Sequence, residues 1–256
     1  MSIKKIYKVD KLKVLIFDNR ENMGRNAGQQ IAECIRKMLK EKEELNIIFA
    51  AAPSQNETLK TLCLEDNIDW SCINAYHMDE YVGLDEENPA GFRNYLKRTI
   101  FDILPFRSVQ LINGNARDVQ KEAMRYSELL KKNPVDICLL GVGENGHLAF
   151  NDPPVADFND PVFTKVVKLD EKCRTQQVHD GCFKKIEEVP EYAITVTIPG
   201  LMAAKHMFCS VPAITKAEAV KMMLNGTVTE KCPASILTTH KGATLYLDVD
   251  SAKYLF

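Results

Sequence analysis

The chain has 256 residues, of which 45% are hydrophobic, 27% charged and 8% aromatic, a globular composition that excludes disorder, collagen-like repeats and mucin-like stalks. Its 33 basic and 35 acidic residues are interspersed and leave a net charge of −2, so neither nucleic acid nor an anionic membrane is an expected partner. The longest largely apolar stretch, Val135 to Val142, falls far short of the ~20 residues that span a bilayer.

The N-terminal stretch carries lysines but no sustained apolar core and no small-residue cleavage site, so no signal peptide is expected. Val14 to Phe17 reads as a strand, and Ile31, Cys34, Ile35, Met38 and Leu39 then recur at helical spacing. Leu45 to Ala51 is a second strand, Thr58 to Leu64 a short helix and Ser71 to Met78 a third strand. Phe92 to Ile103 and Asp118 to Lys131 read as helices flanking a short strand at Val109 to Ile112. Val135 to Val142 is apolar but for Asp136, as expected of a strand covered on both faces. Further strands are predicted at Ala193 to Ile198, Met207 to Val211 and Ala243 to Asp248, with a helix from Lys216 to Leu224. This order predicts one α/β domain over 1–256, a doubly wound, mainly parallel, Rossmann-like sheet with helices on both faces. In such folds ligands bind beyond the carboxyl ends of the strands, so the loops after strands carry the functional reading.

Three such loops stand out. Ala52-Pro53-Ser54-Gln55-Asn56-Glu57 sets polar side chains between a strand and a helix start, where free N–H groups attract phosphate; the alternative is that Ser54 or Asn56 merely caps the helix. His77 to Leu84 places the adjacent acids Asp79 and Glu80 directly after a strand, one expected to face inward and the other outward. Gly141 to Pro153 (GVGENGHLAFNDP) combines three glycines with His147, Asn145 and Asp152. A histidine with a carbonyl or carboxylate partner holds one tautomer and moves protons near neutral pH. His77, Asp79 and Glu80 lack the geometry of a separated ligand set. The eight cysteines contain no CxxC and no partner at metal-ligand spacing. No metal or other cofactor is therefore expected, and the thiols suit a reducing cytoplasm.

The pair MDEYVGL (Met78 to Leu84) and GVGENGHLAFNDP (Gly141 to Pro153) resembles the glucosamine-6-phosphate deaminase/isomerase family. The likeness extends to Phe92 to Phe101, Leu111 to Asn115 and Val189 to Ala193, and so covers most of the chain. It implies a cytoplasmic enzyme acting on a small sugar phosphate, possible in homo-oligomeric form. The implied base is Asp79, which moves a proton from C2 to C1 of the open-chain sugar, and His147 opens the pyranose ring with support from Asn145 and Asp152. Gly143 lets the backbone approach the ligand, and Lys216 matches a lysine that grips the phosphate.

Departures from the family pattern cluster on substrate grip. The family's Gly- and Thr-rich phosphate loop is here Pro53-Ser54-Gln55-Asn56-Glu57, which makes Ser54, Gln55 and Asn56 the candidate neutral contacts and gives the loop an acid at Glu57. Its phosphate-gripping arginine falls in the stretch Asp180-Gly181-Cys182, which leaves Arg174 as the nearest substitute. Asp152 stands where a glutamate is usual, and Asn145 where part of the family has an aspartate. No effector site is expected, because its basic residues and C-terminal extension are not evident. The expected reaction is conversion of glucosamine 6-phosphate to fructose 6-phosphate and ammonia. Two readings stand beside it: a 6-phosphogluconolactonase-like hydrolase in which His147 activates water, and a non-catalytic sugar-phosphate sensor.

Overall fold

The computed structural model describes residues 3–255. Among these described residues, eleven strands form two sheets. β1 (Ile3–Val9) and β2 (Leu12–Phe17) form an antiparallel hairpin. β2 starts a parallel run through β11 (Ala243–Asp248), β10 (His206–Val211), β7 (Ile137–Leu140), β3 (Leu45–Phe49), β4 (Ile73–His77) and β6 (Ser108–Gln110). The doubly wound, mainly parallel architecture is thus present, with β1 as an antiparallel edge strand that has no counterpart in the sequence reading.

Strand periodicity explains why the central strands are apolar throughout. Ile48, Cys138 and Leu140 join the hydrophobic cluster on one face of the sheet, whereas Ile47, Phe49, Ile137 and Leu139 join the cluster on the other. Residues of α1 (Arg20–Met38), α2 (Asn56–Cys63) and α3 (Phe92–Leu96) contribute to the second cluster. Residues of α4 (Val119–Lys132), α6 (Ile198–Met202) and α7 (Ala217–Asn225) contribute to the first. The helix predicted over 92–103 is the short α3 followed by a wider π-type turn at Lys97–Phe101. Among the described residues, no helix is long and apolar enough to cross a membrane.

The second sheet was not separated by periodicity. Here β9 (Tyr192–Val196) lies between β5 (Asp79–Tyr81) and β8 (Thr164–Lys168), antiparallel to both. The chain order places the reversal of the main sheet between β3 and β7, with β4 and β6 on one side and β10 and β11 on the other. The crevice beyond the carboxyl ends of β3 and β7 is therefore where a ligand is expected.

Candidate active site

A cavity occupies that crevice. It is lined after β3 by Ala50 to Ser54, after β4 by Met78 and Asp79, after β7 by Gly141 to Gly143 with His147, and after β10 by Pro212, Ala213, Thr215 and Lys216. The small sheet fixes Asp79 against the His147 loop. Asp79 pairs with Thr195 of β9, whose hydroxyl accepts a 3.0 Å bond from the Phe150 N–H. Asn151 donates to the carbonyls of Leu148 at 2.9 Å and Val196 at 2.8 Å, so one strand anchors both halves of the site.

Both acids of the Asp79-Glu80 pair are buried, contrary to the inward-and-outward expectation. Asp79 lines the cavity. Glu80 instead accepts from the backbone N–H groups of Tyr81, Phe92 and Arg93 at 3.0, 3.2 and 2.9 Å, holding the start of α3. Burial, and secondarily the neighbouring Glu80 charge, pushes the Asp79 carboxyl well above its usual range. His77 is likewise structural: its Nε2 accepts from the Ile112 N–H at 2.8 Å. Burial and then the Arg93 charge push its pKa down to about 3.

His147 is 8% exposed, with Nδ1 2.8 Å from Asp152 Oδ1. Asp152 is 1% exposed. Burial opposes its charge, but the His147 charge, contacts from His147 and Asn145 and a backbone N–H together hold its pKa below the ordinary value. Asn145 acts one step back from the imidazole. Its amide donates to Asp152 at 2.9 Å and accepts from the His147 backbone N–H at 3.1 Å. A Cβ on Gly143 would meet the His147 ring at 2.2 Å, so glycine is what lets the ring lie against the loop. Two non-glycine residues with positive φ, Ala149 (φ 50) and Ala213 (φ 82), also line the cavity. Ala213, with ψ 150, occupies a region almost restricted to glycine, the kind of strain that clusters at functional sites. Its N–H is held by both carboxylate oxygens of Asp248 at 3.2 and 3.1 Å.

The substrate-grip candidates divide. Ser54, Gly143 and Lys216 line the cavity; Gln55, Asn56 and Arg174 do not. Gln55 is buried and donates to Ser54 Oγ and the Leu140 carbonyl at 3.1 and 3.2 Å, tying the loop to the end of β7. Asn56 accepts from the Tyr95 hydroxyl at 2.6 Å. Arg174, on α5 (Glu171–His179), donates to the carbonyls of Ile186 and Val189 at 2.9 and 2.8 Å, so it braces a neighbouring turn. Lys216 is 6% exposed and its Nζ has no hydrogen-bond partner among the described residues. Burial lowers its pKa, opposed by the charges of Asp180 and Glu144.

Arg20, Gln176, Gln177 and Asp180 also line the cavity, although none was singled out as a contact from sequence. Arg20 follows β2 directly, and the rule that ligands sit beyond strand ends was signal enough to find it. The two glutamines and Asp180 lie in the segment that offers Arg174 as the substitute arginine. His147, Asp152 and Cys173 place potential metal-ligating atoms within 4.8 Å of one another. Burial, then the Asp152 charge, pushes the Cys173 thiol well above its ordinary value.

The chain is similar to known proteins over most of its length. Residues 18–246 match the family model described as glucosamine-6-phosphate isomerases/6-phosphogluconolactonase. A glucosamine-6-phosphate deaminase of Bacillus cereus strain B4264 is 34% identical over 240 residues, covering 94% of this chain and 88% of the relative. One from strain G9842 is 38% identical over 187 residues, covering 73% of this chain and 70% of its own length. A solved structure of a monomeric glucosamine-6-phosphate deaminase superposes with a TM-score of 0.84 at 30% identity, covering 94% of this chain and 98% of the other. A 6-phosphogluconolactonase from Trypanosoma cruzi has a TM-score of 0.77 at 16% identity, with 98% of each chain covered; that likeness is one of fold.

Proposed function

From the premise that the chain belongs to the glucosamine-6-phosphate isomerase/6-phosphogluconolactonase family, we propose that it is a single-domain cytoplasmic enzyme converting glucosamine 6-phosphate to fructose 6-phosphate and ammonia. The observation that carries this reading is the joint presence in one cavity of Asp79, with its carboxyl pKa raised, and His147, backed by an ionised Asp152. A lactone hydrolysis led by His147 has no evident use for a second, separately buried carboxyl group.

In the proposed mechanism the Asp152 carboxylate holds the proton of His147 on Nδ1, leaving Nε2 to take a proton from the anomeric hydroxyl and return one to the ring oxygen. The opened sugar has an aldehyde at C1, which acidifies the C2 proton. Asp79 in its ionised form removes that proton. Its buried setting makes it a stronger base than a solvated carboxylate. Delivery of the proton to C1 leaves an imine at C2, whose hydrolysis releases ammonia and yields the ketose. Each positioned acid–base group contributes on the order of 10²–10⁴-fold, and orientation by the cavity supplies much of the rest. Lys216 binds the phosphate: a buried cation without a protein partner is poorly stabilised until an anion meets it. Neither hydride transfer nor a Schiff-base lysine enters the scheme.

The test is coupled detection of ammonia and fructose 6-phosphate across a panel of amino-sugar phosphates. Stoichiometric release of both from glucosamine 6-phosphate is expected. Binding of the panel without ammonia release would identify a sensor instead.

A further inference from the structure

A phosphate dianion needs more countercharge than Lys216 supplies. That lysine already feels the nearby charges of Asp180 and Glu144, and Asp180 lines the same cavity. The backbone at the start of α2 offers little help. Pro53 has no N–H, the Gln55 N–H donates to the Ala52 carbonyl at 2.9 Å, and the Asn56 N–H to the Pro53 carbonyl. Glu57 adds a carboxylate in the first turn of α2. Two of the turn's amides are thus spent on its own backbone, whereas a glycine-rich cradle would present them to the anion.

Arg20 is the other cation in the cavity lining. It opens α1, directly after the Asn19 cap, whose side chain accepts from the Asn22 N–H at 2.8 Å. Its Nε donates to Glu57 at 2.8 Å, and one Nη donates to the Pro53 carbonyl. Gly24 makes this contact possible. A Cβ there would lie 2.3 Å from the Glu57 Cβ, so glycine lets α1 and α2 approach closely enough for the pair. A guanidinium has more donors than these two contacts use, fixed in one plane. Glu57 is therefore a brace, and its charge is matched rather than turned on the ligand.

We propose that Arg20, oriented by Glu57 and Pro53, is the second cation of the anion subsite and binds the substrate phosphate opposite Lys216. The assignment rests on the sugar-phosphate reading above. It replaces Arg174 in that role and brings the countercharge for the phosphate from side chains of the β2 and β10 loops.

The test uses the full chain with Arg20→Gln and Arg20→Lys. Steady-state KM and kcat are measured with glucosamine 6-phosphate, and binding of inorganic phosphate alone is measured by calorimetry. Loss of a charge-assisted contact corresponds to a weakening of about 10- to 150-fold. Arg20→Gln is expected to raise KM and the phosphate Kd together within that range, with kcat changed by less than about 3-fold. Arg20→Lys, which keeps the charge but loses the planar fork, should fall between wild type and Arg20→Gln. Unchanged phosphate binding in Arg20→Gln, or a fall in kcat with KM unaltered, overturns the assignment. Should Arg20→Gln fail to fold, unchanged phosphate binding in Arg20→Lys overturns it equally. If the wild type releases no ammonia while phosphate binding still depends on Arg20, the reaction reading falls and the anion subsite stands.

Discussion

Asp79 links the chemistry of the site to its stability. A carboxyl whose folded pKa is raised loses stability as pH climbs from its unfolded value toward its folded value, and above the folded value the penalty is complete. At neutral pH, above the unfolded value, the burial of Asp79 is therefore destabilising. Asp79→Asn should lose turnover by at least ~10²–10⁴-fold while melting at the same temperature as the wild type or higher, as read by calorimetry alongside the kinetic assay. The acid limb of the rate profile should lie above the ordinary carboxylate range, because burial raises the pKa of this group. Near-wild-type rates in the Asn variant would remove Asp79 from the mechanism. Lys216 follows the same logic with opposite charge: burial disfavours its ammonium form. Lys216→Ala is expected to raise KM for the phosphorylated sugar by about 10- to 150-fold, with no loss of melting temperature. Equal weakening of an unphosphorylated analogue would contradict the phosphate role.

At the scale of elements, the loops after strands were legible and their side-chain directions were not. His147 and Asp79 are recognisable because their neighbours in sequence are also their neighbours in space: Asp152 lies five residues from His147 and contacts its ring. Arg174 shows the limit. Its segment does border the cavity through Gln176, Gln177 and Asp180, but on α5 adjacent positions diverge by about 100°, and Arg174 falls on the face toward Ile186 and Val189. Arg174→Ala should accordingly leave KM unaltered and lower stability by about 1–3 kcal/mol, the range for buried groups left without partners. A denaturant titration beside the kinetic assay reads both. A rise in KM would return Arg174 to the phosphate site. Gln55 is a comparable case. Its position in the loop suggests a ligand contact, but the 3₁₀ turn over Pro53–Gln55 points its amide at the Leu140 carbonyl.

For the molecule as a whole, alternating strands and helices specify the layers, and the reversal of strand order puts the cavity between β3 and β7. What periodicity could not supply is the small antiparallel sheet. Its strands β5, β8 and β9 come from distant parts of the chain and pair only after folding, and β5 spans only Asp79–Tyr81. That sheet joins the Asp79 strand to the anchor of the His147 loop, so the proposed catalytic arrangement depends on contacts that no local pattern encodes.

The fold is shared with lactone hydrolases, but the chemistry proposed for this cavity is proton transfer at carbon rather than attack of water on a lactone. The most direct measurement compares kcat/KM for glucosamine 6-phosphate, followed by ammonia release, with kcat/KM for 6-phosphogluconolactone, followed by acid release, on the same preparation. The amino sugar is expected to be turned over with fructose 6-phosphate as product, and the lactone to open no faster than it does without protein. Lactone hydrolysis that depends on His147 but not on Asp79, with no ammonia from the amino sugar, would contradict it.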